Sequence, residues 1–405
     1  MKRKIFALSL TNIIISATVN IVLAIKLGVG EHLDNYFILT LAPLFLFALG
    51  TSVFRQVLVP LLSEMSSKSS AYELMSCLSC ILFTILFLFS LFVFPVLFYL
   101  KFDLFTLAAL FVSFFLALLC PMLMAYQISC SLYVLQEKVL FLSNVIVICY
   151  LIIPSKAFLL SYSWLLVPIK HAVTVLLILF LNRGLLTKFQ FSGHVSKFWM
   201  RCKPVLFSTV YYKSDIFVDR FIGIFLGESA VSIISLAQQI ISIYHTMLSK
   251  VIIVPNLNVL LALFSQLNRD GMYKQIYSQS KMLFLIGIIS VIGLVLSRSV
   301  LGHFSISDDF FVEYKLNEIF IYLIFCAGTF LFSGPSQVTA QYYYAIGDTL
   351  TPSKIGVAVY SLILPVKIVL VFILSMYGLG VSITVNSLLI FSVYQYSLMK
   401  TRGGV

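Results

Sequence analysis

The chain is 405 residues long, 61% hydrophobic and 10% charged, with a formal net charge of +12 and a mean hydropathy of +1.06. An ordinary soluble domain is roughly 45–50% apolar and 25% charged, so a water-soluble globule is excluded. Apolar runs of about 20 residues recur throughout without the ~10-residue dyad pattern of a membrane barrel, which leaves an all-α integral membrane protein.

Twelve apolar helices are expected, at residues 5–25, 36–62, 73–99, 104–135, 139–155, 158–182, 203–226, 230–263, 280–300, 316–346, 353–376 and 380–399. The first follows Met1-Lys2-Arg3-Lys4 and ends in Lys26-Leu27-Gly28 without a small-x-small cleavage site, so it reads as a span and not as a removable leader. Pro43, Pro121, Pro168, Pro335 and Pro365 fall inside spans, where proline bends a helix and frees backbone carbonyls. The seven cysteines lie mostly in apolar segments, Cys77-x-x-Cys80 included, and read as packing residues. The five histidines form no HExxH, and Gly28-x-Gly30 lacks the third glycine of a dinucleotide loop. The expected protein is therefore not an enzyme and carries no cofactor.

The longest polar break divides the chain into an N-lobe at 1–185 with six helices, a cytoplasmic linker at 186–202 and a C-lobe at 203–405 with six more. An internal repeat supports the division. Leu27-Gly28, an apolar helix and Val59-Pro60 recur as Leu226-Gly227, an apolar helix and Val254-Pro255. Later, Tyr133-Val134-Leu135-Gln136-Glu137 is answered by Tyr344-Ala345-Ile346-Gly347-Asp348. With both termini in the cytoplasm, inner segments hold 16 Lys and Arg and outer segments hold 5. That asymmetry sets the orientation and explains the positive charge as topology, so nucleic acid is not an expected partner.

Six basic residues remain inside the spans, Arg55, Lys170, Lys213, Arg220, Lys250 and Lys367, and only two acids lie as deep, Asp215 and Asp219. A charge at mid-span costs at least ~2.5–3.5 kcal/mol on insertion scales, so these groups require shelter in protein or a watery cavity. A basic surplus without enough acids asks for an anion from outside, and phosphate suits Arg and Lys. On the seventh span, at roughly 100° per residue, Lys213 and Arg220 lie ~20° apart while Asp215 and Asp219 lie ~40° apart on another side. The cationic stripe is expected to face a substrate cavity together with Arg55 and Lys250. The acidic stripe is expected to meet Lys170 or Lys367, or else to bind a coupling cation, Na+ or H+.

The stretch Gly28-Val29-Gly30-Glu31-His32-Leu33-Asp34-Asn35-Tyr36-Phe37, then Pro43, then Gln56-Val57-Leu58-Val59-Pro60-Leu61-Leu62-Ser63-Glu64, resembles the opening signature of the bacterial lipid II flippases. Asp219-Arg220 through Pro255 and Tyr344-Ala345-Ile346-Gly347-Asp348-Thr349-Leu350-Thr351-Pro352 resemble later parts of the same family. Its parent group is the multidrug, oligosaccharidyl-lipid and polysaccharide exporters. The resemblance implies a two-lobed, V-shaped transporter working by alternating access. It would move an undecaprenyl-pyrophosphate-linked oligosaccharide from inner to outer leaflet of a bacterial inner membrane, as a monomer among membrane lipids. Asp34 and Pro43 match the family's aspartate and proline. The departures are Phe47-Ala48 and Gln239, where the family carries arginine, and the lack of two final helices; they imply a glycan other than lipid II. A cation-coupled multidrug antiporter of the same superfamily is the alternative, although cationic drugs would call for a cavity dominated by carboxylates.

Overall fold

In hydrocarbon each backbone N–H and C=O must be satisfied within its own segment, so the long Leu-, Phe- and Ile-rich runs have helix as their economical solution. The computed structural model describes residues 2–63, 65, 68–99, 104–130, 132–153, 156–182, 194–303, 315–346, 348 and 350–403. Its helices are α1 (Lys2–Leu27), α2 (Glu31–Ser63), α3 (Lys68–Tyr99), α4 (Leu104–Ser129), α5 (Tyr133–Ile152), α6 (Lys156–Tyr162), α7 (Leu166–Leu181), α8 (His194–Ile224), α9 (Ala230–Leu248), α10 (Val254–Ser265), α11 (Arg269–His303), α12 (Leu316–Phe325), α13 (Ala327–Ala345), α14 (Leu350–Leu374) and α15 (Met376–Gly403). A 3-10 turn at Ser163–Leu165 precedes α7, and a π-helical turn at Ser249–Ile253 links α9 to α10. No strand occurs among the described residues.

Ten stretches are long and apolar enough to cross a membrane, and α12 with α13, bent by 46° where they meet, make an eleventh. The expected twelfth is α8. It has the length, but Lys197, Arg201, Lys203, Lys213, Asp215, Asp219 and Arg220 make it too charged to count as a span on composition. The expected fourth span, 104–135, also ends early. The Cys130 N–H bonds the Tyr126 carbonyl at 3.1 Å and the Leu132 N–H turns back to that of Gln127 at 2.9 Å, closing α4 at Ser129.

The Leu-Gly elements of the repeat fall on equivalent features. Gly28 after α1 has φ +74° and Gly227 after α8 has φ +107°, a region open to glycine without a steric penalty. The other two matches fall on different local elements. Pro60 lies inside α2, whereas Pro255 stands in the first turn of α10 behind a π-helical turn. Glu137 sits in the first turns of α5, while Asp348 follows α13 and precedes α14.

The chain forms two compact units: residues 1–27 with 35–218, and residues 28–34 with 219–405. The boundary between these units falls inside α8; of the expected linker at 186–202, residues 186–193 lie outside the described residues. The first part of α8 joins the first unit because Phe198 and Cys202 enter its core beside Leu58, Met122 and Ile178, and Phe217 meets Phe45 at 5.7 Å. In that unit α1 packs on α5, where Glu137 accepts hydrogen bonds from Ser9 Oγ at 3.1 Å and Asn12 Nδ2 at 2.6 Å. In the second unit α13 packs against both α11 and α15, and α14 packs on α15, around Leu260, Leu283, Val338 and Tyr343.

Candidate functional site

The deepest charges in the second unit are Asp219 on α8 and Lys367 on α14, two residues beyond Pro365. Lys367 Nζ lies 2.5 Å from Asp219 Oδ1, with 1% and 2% of the two side chains exposed. Gln238 on α9 donates from Nε2 to Asp219 Oδ2 at 3.1 Å. Three helices thus converge on one carboxylate. A charge this far from water persists when paired and hydrogen-bonded, because desolvating an isolated ion costs several kcal/mol.

A second buried carboxylate acts on backbone. Ser229, at φ +70°, precedes α9 without capping it through its own side chain. Asp34 supplies the cap: its Oδ2 accepts the Ser229 N–H at 2.6 Å and its Oδ1 accepts the Ser232 N–H at 2.7 Å, with Ser232 Oγ donating to Oδ1 as well. The negative charge meets the positive end of the α9 dipole and satisfies N–H groups that a helix start leaves open. Lys315 Nζ reaches Ser229 Oγ at 2.7 Å on the same turn.

A third polar device surrounds the π-helical turn. Gln275 Nε2 donates to Asn256 Oδ1 at 2.9 Å, Asn256 Nδ2 to Gln341 Oε1 at 3.2 Å, and Gln341 Nε2 to the Ile253 carbonyl at 2.6 Å. Pro255 brings no N–H to the helix here, and the three amides knit α11, α10 and α13 around the irregular backbone.

The remaining expected residues are dispersed. Of the acidic pair, Asp219 takes Lys367 as its partner, while Lys170 belongs to the first unit. Asp215 and Lys213, also in the first unit, are half-buried. Arg220, the other member of the cationic stripe, is 8% exposed in the second unit. Arg55 is exposed on α2, Pro43 is buried inside the same helix, and the side chain of Lys250 lies outside the described residues. Lys170 is half-buried, and the ring of its neighbour His171 stacks on Phe47 at 4.7 Å and 15°. An aromatic stack therefore occupies Phe47, one of the positions where the resembling flippases carry arginine. Gln239 is half-buried, and the glutamine that reaches Asp219 is Gln238. Ser229 and Ser232 were also missed. The described residues hold no group of three His, Cys, Asp or Glu arranged for a metal ion.

No family model and no curated protein sequence matches the chain. Solved structures do. Both the helix arrangement and these likenesses give the chain the fold of the multidrug, oligosaccharidyl-lipid and polysaccharide exporter superfamily. The lipid II flippase MurJ in an inward closed conformation is similar at TM-score 0.75 and 17% identity, over 98% of this chain and 87% of that one. An outward-facing multidrug MATE transporter is similar at TM-score 0.60 and 14% identity, over 99% and 96%. A superfamily transporter from Pyrococcus furiosus, described as having a binding pocket of reversed polarity, is similar at TM-score 0.59 and 15% identity, over 98% and 95%.

Proposed function

We propose that the chain is a transporter that moves an undecaprenyl-pyrophosphate-linked oligosaccharide from the inner to the outer leaflet by alternating access. The observation that carries this reading is a surplus of basic residues inside a flippase fold. Pairing Asp219 with Lys367 removes one acid and one base from the count. Arg55, Lys170, Lys213, Arg220 and Lys250 remain against Asp215, so the excess is still four positive charges. A diphosphate crossing ~30 Å of hydrocarbon needs cations to replace its hydration, while a prenyl tail can remain in lipid. An inside-negative potential would drive such an anion outward with about 2.3 kcal/mol per charge per 100 mV.

On this reading Arg55, Lys213, Arg220 and Lys250 serve the passenger's phosphates. Asp219 with Lys367 holds helices in register, and Asp215 and Lys170 are the remaining candidates for coupling. The protein acts as a monomer in a bacterial inner membrane with both termini in the cytoplasm. It uses no cofactor beyond a coupling cation, if transport depends on one. The MATE likeness keeps a cation-coupled drug antiporter as the second reading, but a surplus of basic residues at span depth disfavours cationic drugs.

The deciding experiment deletes the gene and measures the leaflet distribution of undecaprenyl-linked glycans. Accumulation on the cytoplasmic side, relieved by the wild-type gene but not by a Lys213→Gln, Arg220→Gln variant expressed at the same level, supports the proposal. Normal glycan distribution together with lost resistance to cationic drugs replaces it with the antiporter. Unimpaired function of the double variant refutes the assignment of those two cations.

A further inference from the structure

A groove of about 510 Å³ opens on the second unit between α11, α13 and α15. Its composition changes along its length. Phe284, Phe332, Pro335 and Phe391 line one part, with Phe332 5.9 Å from Phe284 and 5.6 Å from Phe391. Lys281, Ser280 and Gln395 follow, and beyond them along the two helices Tyr277, Ile276 and Leu398 continue the lining. Ser280 Oγ is buried and finds no hydrogen-bond partner among the described residues.

The change coincides with the water boundary of the bilayer. On α11 Lys281 is the last charge before a run without charges that lasts to Arg298; on α15 the run from Met376 ends at Lys400. Phe284 lies three residues into the α11 run and Phe391 nine residues before Lys400, depths of roughly 4 Å and 13 Å at 1.5 Å per residue. Phe284 and Phe391 therefore lie within hydrocarbon and Lys281 at headgroup level. Basic sites between spanning helices at such a boundary suit lipid headgroups, and the surplus of Lys and Arg places this boundary on the cytoplasmic side, where anionic lipids create a negative surface potential.

We infer that this groove is a binding site for an anionic phospholipid, with one acyl chain over Phe284, Phe332 and Phe391 and the phosphate at Lys281. Aromatic walls offer a surface for an acyl chain, and a single exposed ammonium offers a partner for one phosphate. The site is separate from the Asp219–Lys367 pair and does not depend on the identity of the passenger. Its occupant would brace α11, α13 and α15 at one membrane face.

The full chain, purified in detergent, is titrated with phosphatidylglycerol, phosphatidylcholine or inorganic phosphate, reading bound lipid by native mass spectrometry and the thermal midpoint in parallel. Phosphatidylglycerol is expected to bind more tightly than phosphatidylcholine and to raise the midpoint, and inorganic phosphate to do neither. Lys281→Gln should weaken phosphatidylglycerol about fivefold, from the ~1 kcal/mol attributed to each basic residue near an anionic surface. Ser280→Trp, which fills the groove, should weaken both lipids. Lys274→Gln, on the same helix outside the groove, should leave binding unchanged. Equal affinity for the two lipids overturns the inference, as does an equal loss in the Lys274 and Lys281 variants or stabilisation by phosphate alone. Should Ser280→Trp fail to fold, Lys281→Gln, an exposed change, still decides the matter.

Discussion

Replacing Lys367 with methionine keeps the side-chain length and removes the ammonium from the Asp219 carboxylate, which is 2% exposed and also accepts from Gln238 at 3.1 Å. Breaking a buried pair from one side costs about 3–5 kcal/mol, because the surviving charge was desolvated on the strength of its partner. At 2–4 °C per kcal/mol for a unit of this size, the thermal midpoint should fall by roughly 6–20 °C. Asp219→Asn combined with Lys367→Met makes the site neutral, and such replacements are often close to neutral or stabilising. The double variant should therefore recover most of the loss, giving a coupling energy of several kcal/mol in a double-mutant cycle. The assay is thermal unfolding of the detergent-solubilised chain at fixed scan rate, with ligand-free wild type alongside. A midpoint lowered by less than 2 °C in Lys367→Met, or additive losses in the double variant, would show that the pair contributes no coupled stability and that the three-helix convergence is incidental.

Three further perturbations address the other polar devices. Asp34→Ala removes the acceptor for two N–H groups and a hydroxyl at the start of α9 and should cost about 1–2 kcal/mol, with Asp34→Asn losing less because its amide oxygen still accepts; protease sensitivity around Ser229 is the local readout. Gln341→Leu strands the Ile253 carbonyl and the Asn256 amide and should cost about 2 kcal/mol, visible as faster amide exchange across Ser249–Ile253. Outside the spans, Asp348 accepts from Thr351 Oγ1 at 2.6 Å and from the backbone N–H groups of Thr351 and Leu350 at 3.0 Å. The Thr351 hydroxyl, followed by its N–H, holds the Asp348 carboxyl below its ordinary value of 3.8. A lowered folded value means that this contribution is complete above the unfolded value and fades as pH falls through the folded one. Asp348→Ala should thus be destabilised by about 1 kcal/mol at pH 7, and its deficit against wild type should shrink below pH 3.8; a deficit constant from pH 7 to pH 2.5 would contradict the capping role.

Hydrophobic length alone was enough to read most spans, because a helix in hydrocarbon leaves a run that no other element needs. Residues 203–226 were legible as a helix too, and α8 covers most of them although seven charges keep it from counting as a span on composition; the irregular turns at Ser163–Leu165 and Ser249–Ile253 were not, because the runs they interrupt remain apolar. The pairing of Asp219 was legible because only two acids lie at such depth, so candidate partners were few. The third member was not: no spacing on α9 links Gln238 to a carboxylate 19 residues earlier on another helix, and Gln239 beside it was singled out only for the resemblance. The Asp34 cap was illegible in principle. Its acceptor and donors are 195 and 198 residues apart, and Ser229 gives no local capping signal.

The same geometry bears on the choice between the two transport readings. A cation-coupled antiporter needs a carboxylate that can exchange its cation for drug or be re-ionised during the cycle. Asp219 is already compensated by a cation covalently part of α14, with 1–2% of either side chain exposed, so any exchange there must first move helices apart. Asp215, half-buried on α8, is the other deep acid of that helix, a thin basis for drug coupling. Anion transport loses nothing by the pairing, since one positive and one negative charge cancel and the surplus persists. Low transport in Lys213→Gln with full activity in Asp215→Asn would follow from the flippase reading, and the reverse pattern from the antiporter.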